Sequence, residues 1–264
     1  MPRTTRDPSK QIEEGNCWYT DDQFAVQLGT PSSKFVVENR WRIFSEAIDR
    51  WIQRNQTDRG KQTIHILDAG CGDGINLFGL HQALKKHSWD IELFGIDYNP
   101  LRVTRAQELD GVAGLLQGSL SCLPFSSETF DIILCNQVLE HIYDDLAALQ
   151  EVNRILRQDG ILILGVPNEG CLLGRLRNQV FQPSILKTTD HFNFYSEKSL
   201  TEILEKAGFD IQRIEREGFF NPHFKLHGFL LNKSWGRRLV CNLGKLIPSQ
   251  AAGIFAIALR RGLK

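Results

Sequence analysis

A glycine-rich turn between a strand-like run and a helical pattern constrains the fold of this 264-residue chain more than any other feature. Residues 64–67 are rich in isoleucine and leucine, Asp68 follows, and glycines stand at positions 70, 72 and 74. Glycine lacks Cβ, so the backbone can turn sharply and a ligand can pack directly against it. The N–H groups at the start of the next helix would point at that ligand. The pattern predicts a loop that binds a nucleotide-like cofactor.

Short apolar runs alternate with amphipathic helical patterns from residue 62 onward, which predicts parallel strands joined by right-handed crossovers. Helices would cover both faces of a doubly wound α/β sheet. The predicted strands are 63–67, 91–96, 130–135, 161–166, 209–216 and 254–259, and the predicted helices lie near 75–87, 100–109, 144–157 and 200–207. Residues 1–60 are expected to form a polar tail and a helical N-terminal cap. Residues 61–264 would form the cofactor-binding domain, with an insertion at about 218–250.

A second carboxylate is expected at the edge of the sheet where ligands bind, beyond the carboxyl ends of the strands. Asp97 ends the second strand, 25 positions after Gly72. Its carboxylate can accept hydrogen bonds from both hydroxyls of a ribose, and Tyr98 beside it offers a flat face to an adenine. The alternatives are that Asp97 caps the next helix and that Tyr98 packs as an ordinary aromatic residue.

Two cofactor classes fit such a loop. A dinucleotide site needs the spacing G-x-G-x-x-G, in which the third glycine lets the helix approach a pyrophosphate closely. Ile75 stands at that third position, and Asp68 would repel a pyrophosphate. The same carboxylate suits a cofactor that carries an ammonium and a sulfonium. The loop therefore favours S-adenosyl-L-methionine over a nicotinamide dinucleotide.

At these residues the chain resembles the class I S-adenosylmethionine-dependent methyltransferases, especially the broad group that includes ubiquinone and menaquinone biosynthesis enzymes. The likeness covers about residues 62–170, with weaker agreement to 217. The matching motifs are Leu67–Gly74, Gly95–Pro100, Gln117–Phe125 with Phe130–Ile142, and Glu151–Pro167. The resemblance implies the Rossmann-like methyltransferase fold, a mostly parallel seven-stranded sheet.

The resemblance also implies a set of cofactor contacts. It places Gly70 and Gly72 against the amino-acid end of the cofactor, Asp97 at its ribose, Tyr98 and Leu120 beside its adenine, and Asn136 beside its methionine portion. Asn136 could instead be a backbone partner at a strand end. The chain departs from the family at Ser119, where an acid often accepts from the adenine amino group. A serine oxygen can still accept that bond, but as a neutral and weaker partner.

Two histidines are candidate catalytic residues. His141 follows the fourth strand, and His191 lies in the loop after the fifth strand, with Asp190 beside it. Histidine titrates near neutrality, so either residue could accept a proton from the methyl acceptor. The alternatives are that His141 orders the start of a helix and that His191 packs within its loop.

The C-terminal part of the chain is basic. After Glu217 there are eight lysines and arginines and no acidic residue, so the last 47 residues carry +8. Within residues 219–245, aromatic and aliphatic side chains alternate with Lys225, Lys233, Arg237 and Arg238. Such a segment suits an anionic membrane surface or a lipid-like substrate, or it is a helical cap with a solvated basic face. Nucleic acid is a less favoured partner, because no known binding module accompanies these residues.

The six cysteines show no C-x-x-C pair, so no metal site is expected, and reduced thiols point to the cytoplasm. The N-terminus lacks the apolar stretch of a signal peptide, and no run approaches the roughly 20 apolar residues of a membrane span. We expect a methyltransferase that acts at oxygen or carbon of a small-molecule or lipid-like acceptor and that contacts the membrane periphery through residues 219–245. The alternative is a non-catalytic regulatory protein that binds S-adenosylmethionine. The oligomeric state stays open.

Overall fold

Seven strands form one sheet in the order β3-β2-β1-β4-β5-β7-β6. The computed structural model describes residues 8–59, 62–184, 190–221 and 223–261. The strands are β1 (Ile64–Ala69), β2 (Ile91–Asp97), β3 (Gly114–Gln117), β4 (Phe130–Asn136), β5 (Leu156–Pro167), β6 (Phe209–Glu217) and β7 (Gly253–Arg260). Strands β1 to β5 are parallel, and β7 runs antiparallel between β5 and β6. The predicted doubly wound, mostly parallel sheet of seven strands is confirmed.

Eleven α-helices are described around the sheet in these ranges of the chain. They are α1 (Pro8–Glu13), α2 (Cys17–Thr20), α3 (Gln23–Leu28), α4 (Pro31–Arg59), α5 (Ile75–Leu84), α6 (Pro100–Ala106), α7 (Asp145–Ile155), α8 (Leu172–Leu176), α9 (Glu197–Lys206), α10 (Phe224–Leu231) and α11 (Ser234–Leu246). Short 3-10 turns lie at Leu139–His141 and Pro248–Gln250, and a π-helical turn follows α8 at Arg177–Phe181. In the described ranges, no helix combines the length and apolar character needed to cross a membrane.

Each face of the sheet has its own core, because successive strand residues point to opposite faces. In β4, Ile132 and Leu134 pack with helices α4 and α5, whereas Ile133 and Cys135 pack on the other face with α7 and α9. Long helix α4 therefore shares a core with the sheet. Its Trp51 donates a hydrogen bond from Nε1 to the Asp159 carbonyl at 2.6 Å.

Strand β5 begins five residues earlier than the sequence predicts, and helix α7 ends at Ile155 rather than near 157. The first part of β5 is polar and shows no apolar pattern. It pairs with β4 through Leu156 opposite Phe130, and Arg157 makes a 2.7 Å ion pair with the buried Asp131. These contacts come from a distant strand, so local sequence does not reveal them.

The predicted polar tail contains three short helices, α1 to α3; residues 1–7 lie outside the described part of the chain. The expected insertion contains α10 and α11, which lie between β6 and β7. All six cysteines carry free thiols. A reduced state of these residues agrees with the sequence-based expectation.

Candidate active site

The glycine turn leaves β1 with a left-handed backbone at Gly70 (φ +88°) and Gly72 (φ +55°). Its first two N–H groups, at Gly70 and Cys71, donate to the Ile96 carbonyl at 2.7 and 3.0 Å, which joins the turn to the end of β2. A Cβ on Gly70 would lie 2.3 Å from the Val138 side chain, and one on Gly72 would lie 2.1 Å from Gln23 Oε1. Gly70 is therefore required by the close approach of Val138 as well as by its backbone conformation. At Gly72 the neighbour is the movable end of the Gln23 side chain, so the backbone conformation sets the requirement.

Asp97 is buried at the end of β2 and holds the turn. Its carboxylate accepts hydrogen bonds from the Gly72 N–H at 2.8 Å and the Asn99 N–H at 2.9 Å. The cap of α6 is Asn99 rather than Asp97, because the Asn99 side chain accepts from the N–H groups of Leu101 and Arg102. Burial raises the pKa of Asp97, and its two backbone hydrogen bonds partly offset that effect. Each carboxylate oxygen retains a second lone pair for another donor.

Asp68 and Asn136 end the two neighbouring strands β1 and β4 and present buried acceptors at the same edge. Among the described residues, no donor meets hydrogen-bond geometry at either carboxylate oxygen of Asp68 or at Oδ1 of Asn136. Burial, with the charge of Asp97, raises the pKa of Asp68 to about 8, although the nearby Asn76 side chain lowers it in part. Unpaired buried acceptors cost free energy, so Asp68 and Asn136 are suited to a ligand that donates hydrogen bonds.

The residues expected beside the adenine lie at different depths. Tyr98 is exposed, and its ring meets Tyr19 edge-on with centroids 6.1 Å apart. Leu120 is buried in the core formed by β4, α7 and α9. Ser119 is exposed, and its Oγ accepts a hydrogen bond from the Ser121 N–H at 3.2 Å. The predicted roles of these three residues stay predictions.

The turn is covered by α2 and α3. The sequence suggests Phe24–Trp51 and residues 218–250 as lids, and α3 overlaps the first of these segments. The Gln23 N–H donates to Asp73 Oδ2 at 2.8 Å, and Gln23 Oε1 accepts from the Asp73 N–H at 2.7 Å. Arg105 reaches the Thr20 carbonyl at 2.8 Å, and the Asn99 side chain donates to the Tyr19 carbonyl at 2.9 Å. Sequence reasoning missed Tyr19 and Gln23 because they stand in a polar stretch without a motif.

The two candidate histidines lie together on the same edge of the sheet. Their rings meet edge-on with centroids 4.7 Å apart. His141 ends the 3-10 turn after β4, and this turn follows Val138, which packs on Gly70. Val138 therefore links the turn that carries His141 to the glycine turn. Gln137, with φ at +57°, redirects the chain between β4 and this turn.

Each histidine has a carboxylate behind it. His141 Nδ1 lies 3.1 Å from Asp190 Oδ1, and His191 Nδ1 lies 2.6 Å from Glu169 Oε2. Glu169 also makes a buried ion pair with Arg177 of the π-helical turn. The Arg177 guanidinium lies 4.8 Å above the centre of the Phe220 ring. Asp190 was expected beside His191, but it pairs with His141, and sequence reasoning missed Glu169 and Arg177.

Backbone contacts fix the loop of His191 to the turn of His141. The N–H groups of Phe192 and Asn193 donate to the Glu140 carbonyl at 2.8 and 3.2 Å. The Asn193 side chain donates to the Ile142 carbonyl at 2.8 Å. Contacts between residues more than 50 positions apart in sequence thus hold the histidines in one geometry.

The ionisation of the histidine cluster follows from burial and close charges. Burial lowers the pKa of His141, but the carboxylates of Asp190 and Glu140 outweigh it and raise the pKa above its usual value. Burial raises the pKa of Asp190 and of Glu169, but their histidine partners hold both pKa values below the usual range. Burial raises the pKa of Glu140. Protonated His141 is therefore stabilised by the carboxylates around it.

The strand order, the glycine turn after β1 and the carboxylate that ends β2 define the class I S-adenosylmethionine-dependent methyltransferases. The unpartnered acceptors of Asp68 and Asn136 fit that cofactor, because its ammonium group donates hydrogen bonds. A family model described as a methyltransferase domain matches residues 40–214. The chain belongs to this methyltransferase family, which confirms the resemblance drawn from its motifs.

Curated relatives support the same class. A Mycolicibacterium smegmatis protein named a probable S-adenosylmethionine-dependent methyltransferase is 26% identical over 147 residues, which cover 56% of this chain and 52% of that protein. A ubiquinone biosynthesis O-methyltransferase of Actinobacillus pleuropneumoniae is 28% identical over 113 residues, 39% of this chain and 45% of the relative. The chain thus spans about half the length of these two relatives. The name of the first relative gives S-adenosylmethionine as its cofactor.

Solved structures share the fold at low sequence identity. An S-adenosylmethionine-dependent methyltransferase of Thermotoga maritima matches with a TM-score of 0.53 and 20% identity, over 84% of this chain and 100% of that chain. The [4+2]-cyclase SpnF matches with a TM-score of 0.52 and 18% identity, over 83% of this chain and 81% of that chain. One fold therefore carries different reactions, and the reaction must be argued from the site.

Proposed function

We propose that this chain transfers a methyl group from S-adenosylmethionine to oxygen or carbon of a small-molecule or lipid-like acceptor. The observation that carries the proposal is the placement of Asp68 and Asn136. Their buried oxygens have no hydrogen-bond partner among the described residues and lie at the strand edge that also holds Asp97 and the glycine turn.

The residues of this edge would hold the cofactor by complementary charge and hydrogen bonding. Asp68 would pair with its ammonium group, Asn136 would accept a further hydrogen bond, and Asp97 would accept from the ribose hydroxyls. Gly70 and Gly72 would lie against its amino-acid end, with Tyr98, Leu120 and Ser119 near the adenine. S-adenosylmethionine supplies, when bound, a methyl group activated by a sulfonium.

Methyl transfer requires alignment, because the positive charge at sulfur disperses while the new bond forms. Positioning of the reactants can supply about 7–11 kcal/mol of the barrier reduction. Exclusion of water strengthens the electrostatic interactions inside the site. The contacts of Gln23 and Tyr19 at the glycine turn suit α2 and α3 to that role.

The acceptor would meet the histidine cluster. For an oxygen acceptor, the oxygen forms a bond to the methyl carbon, the carbon–sulfur bond breaks, and the hydroxyl proton leaves the acceptor. A neutral His191 or His141 would take that proton, oriented by the carboxylate at its Nδ1 atom. The relative named an O-methyltransferase supports an oxygen acceptor.

A lipid-like acceptor is favoured by the exposed face of α11. Trp235, Leu239 and Leu246 are exposed on this helix, and basic Arg238 and Lys245 are exposed beside them. Apolar side chains flanked by lysine and arginine suit the interface of an anionic membrane. The side chains of residues 224–227, part of the same expected segment, lie outside the described residues.

A binding titration and a methyl-transfer assay test the proposed function. S-adenosylhomocysteine, the demethylated product, should bind to the wild-type chain with a stoichiometry of one in isothermal titration calorimetry. Transfer of a labelled methyl group to hydroxylated aromatic and lipid acceptors should then be detected by mass spectrometry. A folded chain that binds neither S-adenosylmethionine nor its product would contradict the proposal.

A further inference from the structure

A carboxylate and two imidazoles converge on the acceptor side of the site. One ligand atom from each of Glu140, His141 and His191 lies within 4.8 Å of the other two. Glu140 Oε1 is 4.0 Å from His141 Nε2. Metal–ligand bonds to these groups are about 2.1 Å long, so small side-chain rotations would let all three atoms bind one ion.

Glu140 is the unusual member of this cluster. Its side chain is 1% exposed, and its Oε2 has no hydrogen-bond partner among the described residues. The Glu140 backbone, by contrast, is fixed by the N–H groups of Phe192 and Asn193. An isolated buried carboxylate oxygen is costly unless it is paired or coordinates a cation. The Glu140 carboxylate as a whole stands beside two imidazoles, which are metal ligands in their own right.

The histidines are oriented as metal-binding histidines usually are. A ligating imidazole commonly donates its other ring N–H to a carboxylate, which fixes the ring and makes the ligand more basic. His191 Nδ1 is hydrogen-bonded to Glu169 Oε2 at 2.6 Å, whereas His141 Nδ1 lies 3.1 Å from Asp190 Oδ1 as an ion pair without hydrogen-bond geometry. Nε2 is then the ligand atom of each ring. Glu169 is held in turn by Arg177, so the supporting contacts extend beyond the first carboxylate.

From this geometry we infer that Glu140, His141 and His191 bind a divalent transition-metal ion. Two imidazoles and one carboxylate suit Fe²⁺, Co²⁺, Mn²⁺ or Zn²⁺ better than Mg²⁺ or Ca²⁺, which prefer oxygen ligands. Three protein ligands leave coordination positions open for an oxygen of the substrate. The cysteine pattern, which alone led to the expectation of no metal, does not bear on such a site.

The role that we assign to this ion in the reaction rests on the proposed methyl transfer. A bound ion lowers the pKa of an oxygen that it ligates. A hydroxyl acceptor could then lose its proton to solvent, and the histidines would act as ligands rather than as proton acceptors. The inference narrows the acceptor to a molecule with a hydroxyl, or two adjacent hydroxyls, that can reach the ion.

Cobalt titration tests the site directly. Co²⁺ should bind to the EDTA-treated wild-type chain with a stoichiometry of one, measured by calorimetry and by its visible absorption bands. Glu140→Gln and His191→Ala each remove a proposed ligand and should weaken Co²⁺ binding at least tenfold. Asp190→Asn removes a supporting carboxylate and should weaken Co²⁺ binding by about 10–100-fold. His65→Ala is the matched control, because His65 pairs with Glu92 near the opposite end of β1 and should bind Co²⁺ as the wild type does.

The same protein samples are titrated with S-adenosylhomocysteine, and their folding is checked by thermal unfolding. If a folded wild-type chain binds S-adenosylhomocysteine but no Co²⁺, the metal site is refuted and the proposed function survives. Equal Co²⁺ affinity in the wild type, Glu140→Gln and His191→Ala would also refute the metal site. Failure of S-adenosylhomocysteine to bind would refute the proposed function, whatever the outcome with Co²⁺.

Discussion

Asp68 is fully buried at the end of β1, with a pKa raised to about 8 by burial and by the charge of Asp97. An acid whose pKa is raised by folding contributes stability that is complete below its unfolded pKa, near 3.8, and is lost as the pH rises through about 8. The residue therefore costs stability to the ligand-free chain at alkaline pH. Such a cost is explained if the ionised carboxylate is needed for a cationic ligand.

Asp68 therefore makes cofactor affinity depend on pH. A cationic ligand favours the ionised carboxylate, so affinity for S-adenosylhomocysteine should rise between pH 6 and pH 8, with release of a proton on binding. Calorimetry in buffers of different ionisation enthalpy measures both effects. The Asp68→Asn variant should bind S-adenosylhomocysteine more weakly, and its affinity should lose the pH dependence that comes from ionisation of Asp68. Without ligand, it should melt at a higher temperature than the wild type at pH 8. An unchanged pH profile in Asp68→Asn would exclude Asp68 from the binding site.

Asp97 should contribute directly to cofactor affinity. Asp97→Ala removes a charged hydrogen-bond acceptor and should weaken binding of S-adenosylhomocysteine by about 1.5–3 kcal/mol. Calorimetry measures the change. Asp90→Ala serves as the control, because Asp90 is exposed just before β2 and its side chain accepts a hydrogen bond from the Thr63 hydroxyl. Equal dissociation constants for wild type and Asp97→Ala would contradict the assignment of Asp97.

At the scale of elements, α2 and α3 connect the N-terminal segment to the glycine turn. Gln23 and Asp73 exchange two hydrogen bonds, and Tyr19 and Thr20 accept side-chain bonds from the element that follows β2. Two very short helices have little stability of their own. Their position therefore depends on these contacts, which makes them suited to open and close over the cofactor.

Gln23→Ala tests whether α3 covers the cofactor. Loss of the bond from Asp73 N–H should lower the stability of the chain by only about 0.5–1.5 kcal/mol. Dissociation of S-adenosylhomocysteine should become several-fold faster, as measured by stopped-flow fluorescence. Gln53→Ala, an exposed substitution in α4, is the control. If Gln23→Ala and Gln53→Ala release the ligand at the wild-type rate, α3 is not a cover.

The sequence predicts the elements that follow local patterns and misses those set by distant contacts. Apolar runs locate the strands that flank the site, and the glycine turn with Asp97 indicates the cofactor edge. The polar start of β5 is missed, because its pairing depends on Arg157 and Asp131. The partners of the histidines are missed for the same reason. Glu169 lies 22 positions before His191, and nothing in that interval shows that the two meet.

At the scale of the whole molecule, the basic C-terminal part divides into the exposed residues of α11 and a pair, Arg260 and Arg261, that makes ion pairs with Glu128 and Asp210. The structure decides which basic residues of α11 are suitable for charge reversal in a test of membrane binding. Arg237 donates to the Leu231 carbonyl at 2.9 Å and lies over the Phe35 ring, so its replacement would disturb the fold. Lys233, Arg238 and the ring of Trp235 are exposed near the start of α11, and Lys245 is exposed in its last turn.

Charge reversal on this surface tests membrane contact. Each basic residue near an anionic membrane contributes about 1 kcal/mol, so changing Lys233, Arg238 and Lys245 to Glu should abolish co-sedimentation with phosphatidylserine vesicles. Changing Arg54, Lys85 and Lys86 to Glu alters the net charge equally on another exposed region and should leave binding intact. If the wild-type chain does not co-sediment at low salt, the membrane proposal is wrong.

The central claim is that the edge formed by β1, β2 and β4 holds S-adenosylmethionine. A crystal structure with S-adenosylhomocysteine tests it most directly. The account predicts electron density for the ribose at the Asp97 carboxylate and for the amino group at Asp68, with the glycine turn beneath the amino-acid portion. Density for the ligand at another site would contradict the account. So would a structure at saturating ligand in which Gln23 keeps its contacts with the glycine turn and no ligand lies beside that turn.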